Sequence, residues 1–339
     1  MKRAATPSLG ACPNARGGST PIPAAYVLAL AAIILVGVAQ QSAEADEARE
    51  AFVTNQPADS LSIVDLASLK AVAEIKIGGK PAGVAMSPDG GRAYLTSPDS
   101  KELVVVDAEK RAIERRMRVG EGPLGIAVNP RSGAVYVADW YEHKLFVVDP
   151  EAGEITARVD VGQSPSGVAV TPDGKLILTA DRDSNEVSIV DAVSLERIGQ
   201  IPVGERPFGV TVDAAGQRAY TANVKSDDVS IVDLTAHKVL STVRVGHRPY
   251  AVALTGGRAF VTDQYGGTVT VFDTDTFKVL KTIPVGDYPE GIAADPGGQA
   301  VFVACWEANT LERIDTRTLE VTARVTVGDG PRAFGLFLR

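Results

Sequence analysis

From about residue 50 onward, short apolar runs alternate with polar turns. No stretch there keeps the spacing of an amphipathic helix over three turns. The segment that opens at Pro165 shows the pattern. Gly167-Val168-Ala169-Val170 predicts a small, apolar first strand. Pro172-Asp173-Gly174 predicts a turn, since proline presets one backbone angle and glycine accepts positive φ. Leu176 to Ala180 reads as a second strand and Asp183-Ser184-Asn185 as the next turn. Val187-Ser188-Ile189-Val190-Asp191 reads as a third strand. Arg197 to Val203, alternating as a half-buried strand does, reads as a fourth.

This unit recurs. Pro81, Pro123, Pro165, Pro207, Pro249, Pro289 and Pro331 head equivalent segments, spaced by 42 residues except for one interval of 40. A Val-Gly or Ile-Gly pair precedes each of them: Gly78, Gly120, Gly162, Gly204, Gly246, Gly286 and Gly328. Four-stranded antiparallel units at this period predict an all-β, seven-bladed β-propeller over residues 46–339. Ala51-Phe52-Val53-Thr54-Asn55 should be a second strand with no first strand ahead of it. Pro331 to Leu338 is a first strand with no unit after it. Pairing the two would complete the seventh blade and close the ring, without leaving an apolar edge strand open to aggregation.

Two features repeat too regularly to be chemistry. The third strand ends in Asp in every unit (Asp65, Asp107, Asp149, Asp191, Asp233, Asp273 and Asp315), the expected cap of the following turn. Gly83, Gly125, Gly167, Gly209 and Gly291 should let first strands crowd around a narrow axis.

The residues themselves resemble a family. Ala51-Phe52-Val53-Thr54-Asn55, Arg218-Ala219-Tyr220-Thr221-Ala222-Asn223, the repeated Val-Ser-Ile-Val-Asp, and Ile-Pro-Val-Gly ahead of Arg-Pro-Phe-Gly-Val resemble the YVTN-type β-propeller repeat proteins over nearly all of residues 50–339. The resemblance implies the propeller and leaves function open. Similar proteins include surface-layer proteins, secreted proteins of unknown role and relatives of quinoprotein-associated propellers. Fold alone does not supply a function.

The first 45 residues differ from the rest. Lys2, Arg3 and Arg16 precede the uncharged run Ala24 to Ala39, and Ser42-Ala43-Glu44-Ala45 offers small residues for cleavage. That is the order of a secretory signal segment, with periplasmic or extracellular delivery expected. The competing reading is an uncleaved anchor, the chain's one route to a membrane, although 16 apolar residues fall short of the ~20 that a span needs. Net charge is -8 with no cationic cluster, so nucleic acid is not an expected partner. Cys12 lies ahead of the apolar run, which leaves Cys305 without an intramolecular partner after cleavage.

Function should lie where the units differ, in loops on the scaffold. Two variable rings map to one face. One flanks the unit-heading prolines: Lys80 and Ala82, Gly122 and Leu124, Ser164 and Ser166, Arg206 and Phe208, Arg248 and Tyr250, Tyr288 and Glu290, Gly330 and Arg332. The other closes the second strands at Asn55, Ser97, Asp139, Asp181, Asn223, Asp263 and Cys305, each followed by Gln56, Pro98, Trp140, Arg182, Val224, Gln264 or Trp306. Arg206, Phe208, Arg248, Tyr250, Tyr288, Arg332, Trp140, Trp306 and Arg182 are therefore the expected ligand-binding residues. Arg grips carboxylate or phosphate, and aromatic rings stack on flat ligands. The expected partner is an anionic small molecule, a peptide or a partner protein, bound at the channel mouth.

Two other readings compete. The same face would suit pyrroloquinoline quinone, and hence an accessory role in a quinoprotein dehydrogenase system. Asp139, Asp181 and Asp263 could instead form an oxygen-rich calcium site, as in a lactonase-like hydrolase. Blade-to-blade bonding explains those aspartates as well, since the same position holds Ser97 and Cys305. Catalytic signatures are thin. His143, His237 and His247 lack metal-ligand spacing, and neither C-x-x-C-H nor G-x-S-x-G occurs. The chain therefore reads as a binding or accessory protein without assigned catalytic residues.

Overall fold

The computed structural model describes residues 49–339, and the signal-like segment lies outside them. Every regular element among the described residues is a strand. Six antiparallel sheets have four strands each, in sequence order from the axis outward, and a seventh has three. The fourth blade contains Pro165–Val170, Leu176–Asp181, Glu186–Asp191 and Arg197–Pro202, within a residue or two of the sequence expectation.

The three-stranded blade contains Glu50–Asn55, Ser60–Asp65 and Lys70–Lys76. Its inner position is filled by residues 331–339, which closes the ring as expected. Arg332 N–H donates to Thr54 O (2.7 Å), Phe52 N–H to Phe337 O (2.8 Å) and Arg339 N–H to Glu50 O (3.0 Å). The segment is not a regular strand, however. It forms bridges at Asn55–Pro331 and Ala51–Leu338, with a bend at Gly335 (φ 130°) between them. The bend lets it bond on its other side as well, where Val84 and Met86 N–H donate to Phe334 and Leu336 O (3.0 and 3.1 Å). Side chains lock the same seam. Arg339 binds Glu50 and Glu109, and Arg111 reaches the other oxygen of Glu50.

Second and third strands are buried on both faces, because each blade packs against a neighbour on either side. Fourth strands alternate buried and exposed, since they face solvent at the rim. Fully burying each Val, Leu, Ile or Phe is worth roughly 1.5–3 kcal/mol, so these double-sided strands are the core of the fold. Near the axis the first strands press together. A β-carbon on Gly209 would lie 2.6 Å from Tyr250 O in the next blade. All seven third-strand aspartates cap their turns. Asp149 Oδ1, for example, accepts from Glu151 and Ala152 N–H at 2.8 and 3.0 Å.

Candidate functional site

The two variable rings lie at one end of the propeller, and local geometry explains how they are held. Lys80, Ser164, Arg206, Arg248 and Tyr288, each just before a unit-heading proline, have left-handed backbone angles (φ 52–57°). Such angles are strained for non-glycine residues and need an external hold. For the first four, a side chain of the preceding blade supplies it. Asn185 Oδ1 accepts from Arg206 N–H, and Asp227 Oδ1 from Arg248 N–H, both at 2.8 Å. Asp59 does the same for Lys80 (2.9 Å). In the third blade the acceptor is His143 Nδ1, bound by Ser164 N–H (3.0 Å). That bond uses His143 as a blade-to-blade tie through its unprotonated Nδ1.

The residues expected as one ligand site divide into two groups. Trp140, Phe208, Tyr250 and Arg332 form a plug across the channel. Phe208 stacks on Tyr250 (4.2 Å between centroids) and on Phe334 (5.1 Å), and Trp140 approaches Phe208 at 6.3 Å. Phe208 and Tyr250 are only 7% and 4% exposed, so they fill the mouth instead of presenting stacking surfaces. Arg332 crosses from the first blade to Glu290 in the seventh (3.1 Å) and donates to the Tyr250 hydroxyl. Gln56 and Gln264 complete the network, bonded to Arg332 (3.0 Å) and Glu290 (2.6 Å). The anion that Arg332 holds is thus the Glu290 carboxylate of the protein itself. Burial pushes the Glu290 carboxyl up, against the lowering effect of Arg332. Arg182 caps the plug, 5.2 Å over the Trp140 ring and paired with Asp183 at 2.6 Å.

The second group is an open strip along the fifth to seventh blades. Arg206 is exposed and has no ion pair among the described residues. Arg248 lies 4.2 Å over the ring of Tyr265, which is 49% exposed. Arg248 Nε is buried without a hydrogen-bond partner. Tyr288 sits between Tyr265 (5.2 Å) and Trp306 (6.5 Å), and His247 meets Tyr265 edge-on at 5.9 Å. Tyr265 and Phe334 were not singled out in the sequence. Tyr265 falls one residue outside the compared ring, and Phe334 sits in a segment whose register the Gly335 bend alters.

The ring closing the second strands is a set of clasps. Asp139 spends both oxygens on four backbone N–H groups, of Glu121, Gly122, Tyr141 and Glu142 (2.7–3.0 Å). Asp181 binds Thr179 (2.8 Å) and Ser188, and Asp263 binds Gly246, Thr268 and Thr270 (2.7–2.9 Å). The bonding seen at Asp139, Asp181 and Asp263 is of the blade-tying kind weighed above against an oxygen-rich calcium site. These carboxylates are buried separately in their own blades, each bonded to protein donors. Among the described residues no three His, Cys, Asp or Glu side chains converge as ligands. Desolvation raises Asp181 and Asp263 to about 6 despite those hydrogen bonds. Cys305 occupies the same ring position, fully buried, and burial pushes its thiol up to about 12.

Two cavities lie away from this face. One is an apolar funnel of about 430 Å³ along the axis, with Phe334 from the plug at its inner end. The other, about 1020 Å³, lies between the second and third blades, where Arg92 binds Glu114 (2.8 Å) and Glu151.

The family model described as YNCE-like β-propeller matches residues 31–132. Over that stretch the chain is similar to the YNCE-like propellers, and its fold is a seven-bladed β-propeller. Solved structures agree on the fold of this propeller. Hydrazine synthase of Kuenenia stuttgartiensis superposes with a TM-score of 0.69 at 22% identity, covering 75% of this chain and 88% of that one. A functionally unknown protein from Desulfotomaculum acetoxidans DSM 771 superposes with a TM-score of 0.73 at 16% identity, covering 85% and 100%. No curated protein matches the chain in sequence.

Proposed function

We propose that this propeller is an extracytoplasmic binding or accessory protein. Its recognition surface is the Arg206–Arg248–Tyr265–Tyr288–Trp306 strip, and the group it takes is anionic and flat or extended. Arg248 carries the reading. Its guanidinium is fixed on an exposed tyrosine ring, and no carboxylate pairs with it among the described residues. A carboxylate or phosphate docking there gains a charge-assisted bond, and a planar body gains stacking on Tyr288 and Trp306. Export rests on the signal-like pattern of residues 1–45.

Pyrroloquinoline quinone, a planar tricarboxylate, is a direct probe, followed by quenching of tryptophan fluorescence, with citrate and inorganic phosphate as small anions. Saturable binding that weakens about tenfold or more in the Arg206→Ala, Arg248→Ala double variant, with unchanged circular dichroism, supports the assignment. Binding indifferent to both substitutions, or no saturable binding of any of the three anions, overturns it.

A further inference from the structure

The first strands are crowded where they begin and spread apart where they end. The starting end carries the aromatic and Arg332–Glu290 plug described above. Beyond it the axis opens into the funnel of about 430 Å³, walled by Val128, Val170, Val212 and Leu254. The proline turns Pro130 and Pro172 line its mouth, so it opens on the face opposite the Arg248 strip. Leu336 also lines it while remaining 71% exposed, the most solvent-exposed Leu, Ile, Phe, Tyr or Trp among the described residues.

We infer that this funnel is a second binding site, for an uncharged, largely apolar small molecule. Three observations carry the inference. The volume falls within the ~300–1,000 Å³ of small-molecule pockets and is nearly three times the ~150 Å³ dry cavity that holds benzene. Secondly, no ionisable side chain lines the funnel, so a charged group entering it would lose its hydration without compensation. Its one side-chain hydroxyl, on Thr211, is already donated to Val252 O (2.7 Å). The inner strands are sheet edges, so their backbone N–H and C=O groups can satisfy a neutral polar atom on such a molecule but not balance an ion. Thirdly, Phe334, packed beneath Phe208 and Tyr250, makes the tube blind. A blind tube suits a small molecule that enters whole, and Leu336 stands at its lip as apolar surface for the bound molecule to cover.

Two probes with one aromatic skeleton separate this site from the strip. N-phenyl-1-naphthylamine is neutral, and 1-anilinonaphthalene-8-sulfonate is the same skeleton with a sulfonate. Titrated into the full chain, the neutral dye should show saturable fluorescence enhancement at one equivalent, with the sulfonate about tenfold weaker or more. Leu336→Asp and Val212→Asp should weaken the neutral dye at least about fivefold, and Arg206→Ala, Arg248→Ala should leave it unchanged. Leu336 is exposed, so its variant decides the matter if Val212→Asp fails to fold. Absence of saturable binding of the neutral dye overturns the inference. So does equal affinity for the two dyes, or a folded Leu336→Asp variant that binds like the wild type.

Discussion

Gly246 donates its N–H to Asp263 Oδ1 at 2.9 Å, so closely that a β-carbon on Gly246 would lie 2.7 Å from the Asp263 β-carbon. In six of the seven units, all but that of Gly78, the glycine before the unit-heading proline is thus half of a two-residue fitting. The other half is the residue that closes the second strand. Gly246→Ala should destabilise by about 1–3 kcal/mol, because backbone and buried carboxylate must part. Urea denaturation measures it, and an unchanged midpoint would refute the fit.

Asp181 and Asp263 make stability depend on pH. Their carboxyls sit at about 6 in the fold, above the ordinary 3.8, because burial outweighs their hydrogen bonds. The folded state therefore holds protons that the unfolded chain releases first. Stability from these groups is full below about pH 4 and declines as pH rises to about 6, by at most about 3 kcal/mol per group. Asp263→Asn should flatten that decline while keeping the fold, since Asn55 and Asn223 fill the equivalent position. Thermal melts of both proteins between pH 4 and 7 provide the comparison.

His143 does in the third blade what Asn185, Asp227 and Asn309 do in others. His143→Asn should keep or raise the melting temperature, because asparagine tolerates the left-handed backbone (φ 57°) better and still accepts from Ser164 N–H. His143→Ala should cost about 1 kcal/mol. Equal melting of the two variants would show that the tie is unimportant.

Arg332 and Glu290 should behave as a unit. Arg332→Ala leaves Glu290 buried and uncompensated, at a cost of about 3–5 kcal/mol. Arg332→Met with Glu290→Gln removes both charges and should recover most of that loss. A double-mutant cycle in urea tests it, and additive losses would count against coupling.

The fold was legible because each unit spells out four strands, and because repetition isolates capping and crowding positions from variable ones. The variable positions were harder to read. Register placed Phe208, Tyr250 and Arg332 on the correct face, yet their depth depends on neighbours in other blades. Glu290 and Arg332 are 42 residues apart in sequence and meet because consecutive first strands pack side by side around the axis. Likewise, alignment exposed the ring of Asp139, Asp181 and Asp263 but not the donors that fill it. For Asp139 those come from loops, and for Asp181 and Asp263 largely from hydroxyls on their own and the paired strand, whose inward direction only the register reveals.

The closure at Glu50 and Arg339 has a kinetic side. Each complete blade joins strands that are sequence neighbours, so most pairing is local and can form as soon as its own stretch of chain is available. The final seam spans 289 residues of sequence and must wait for the last of them. Until then the chain is an open stack able to fray from either side. Afterwards no terminal module remains, and loosening any blade means breaking contacts on two sides at once.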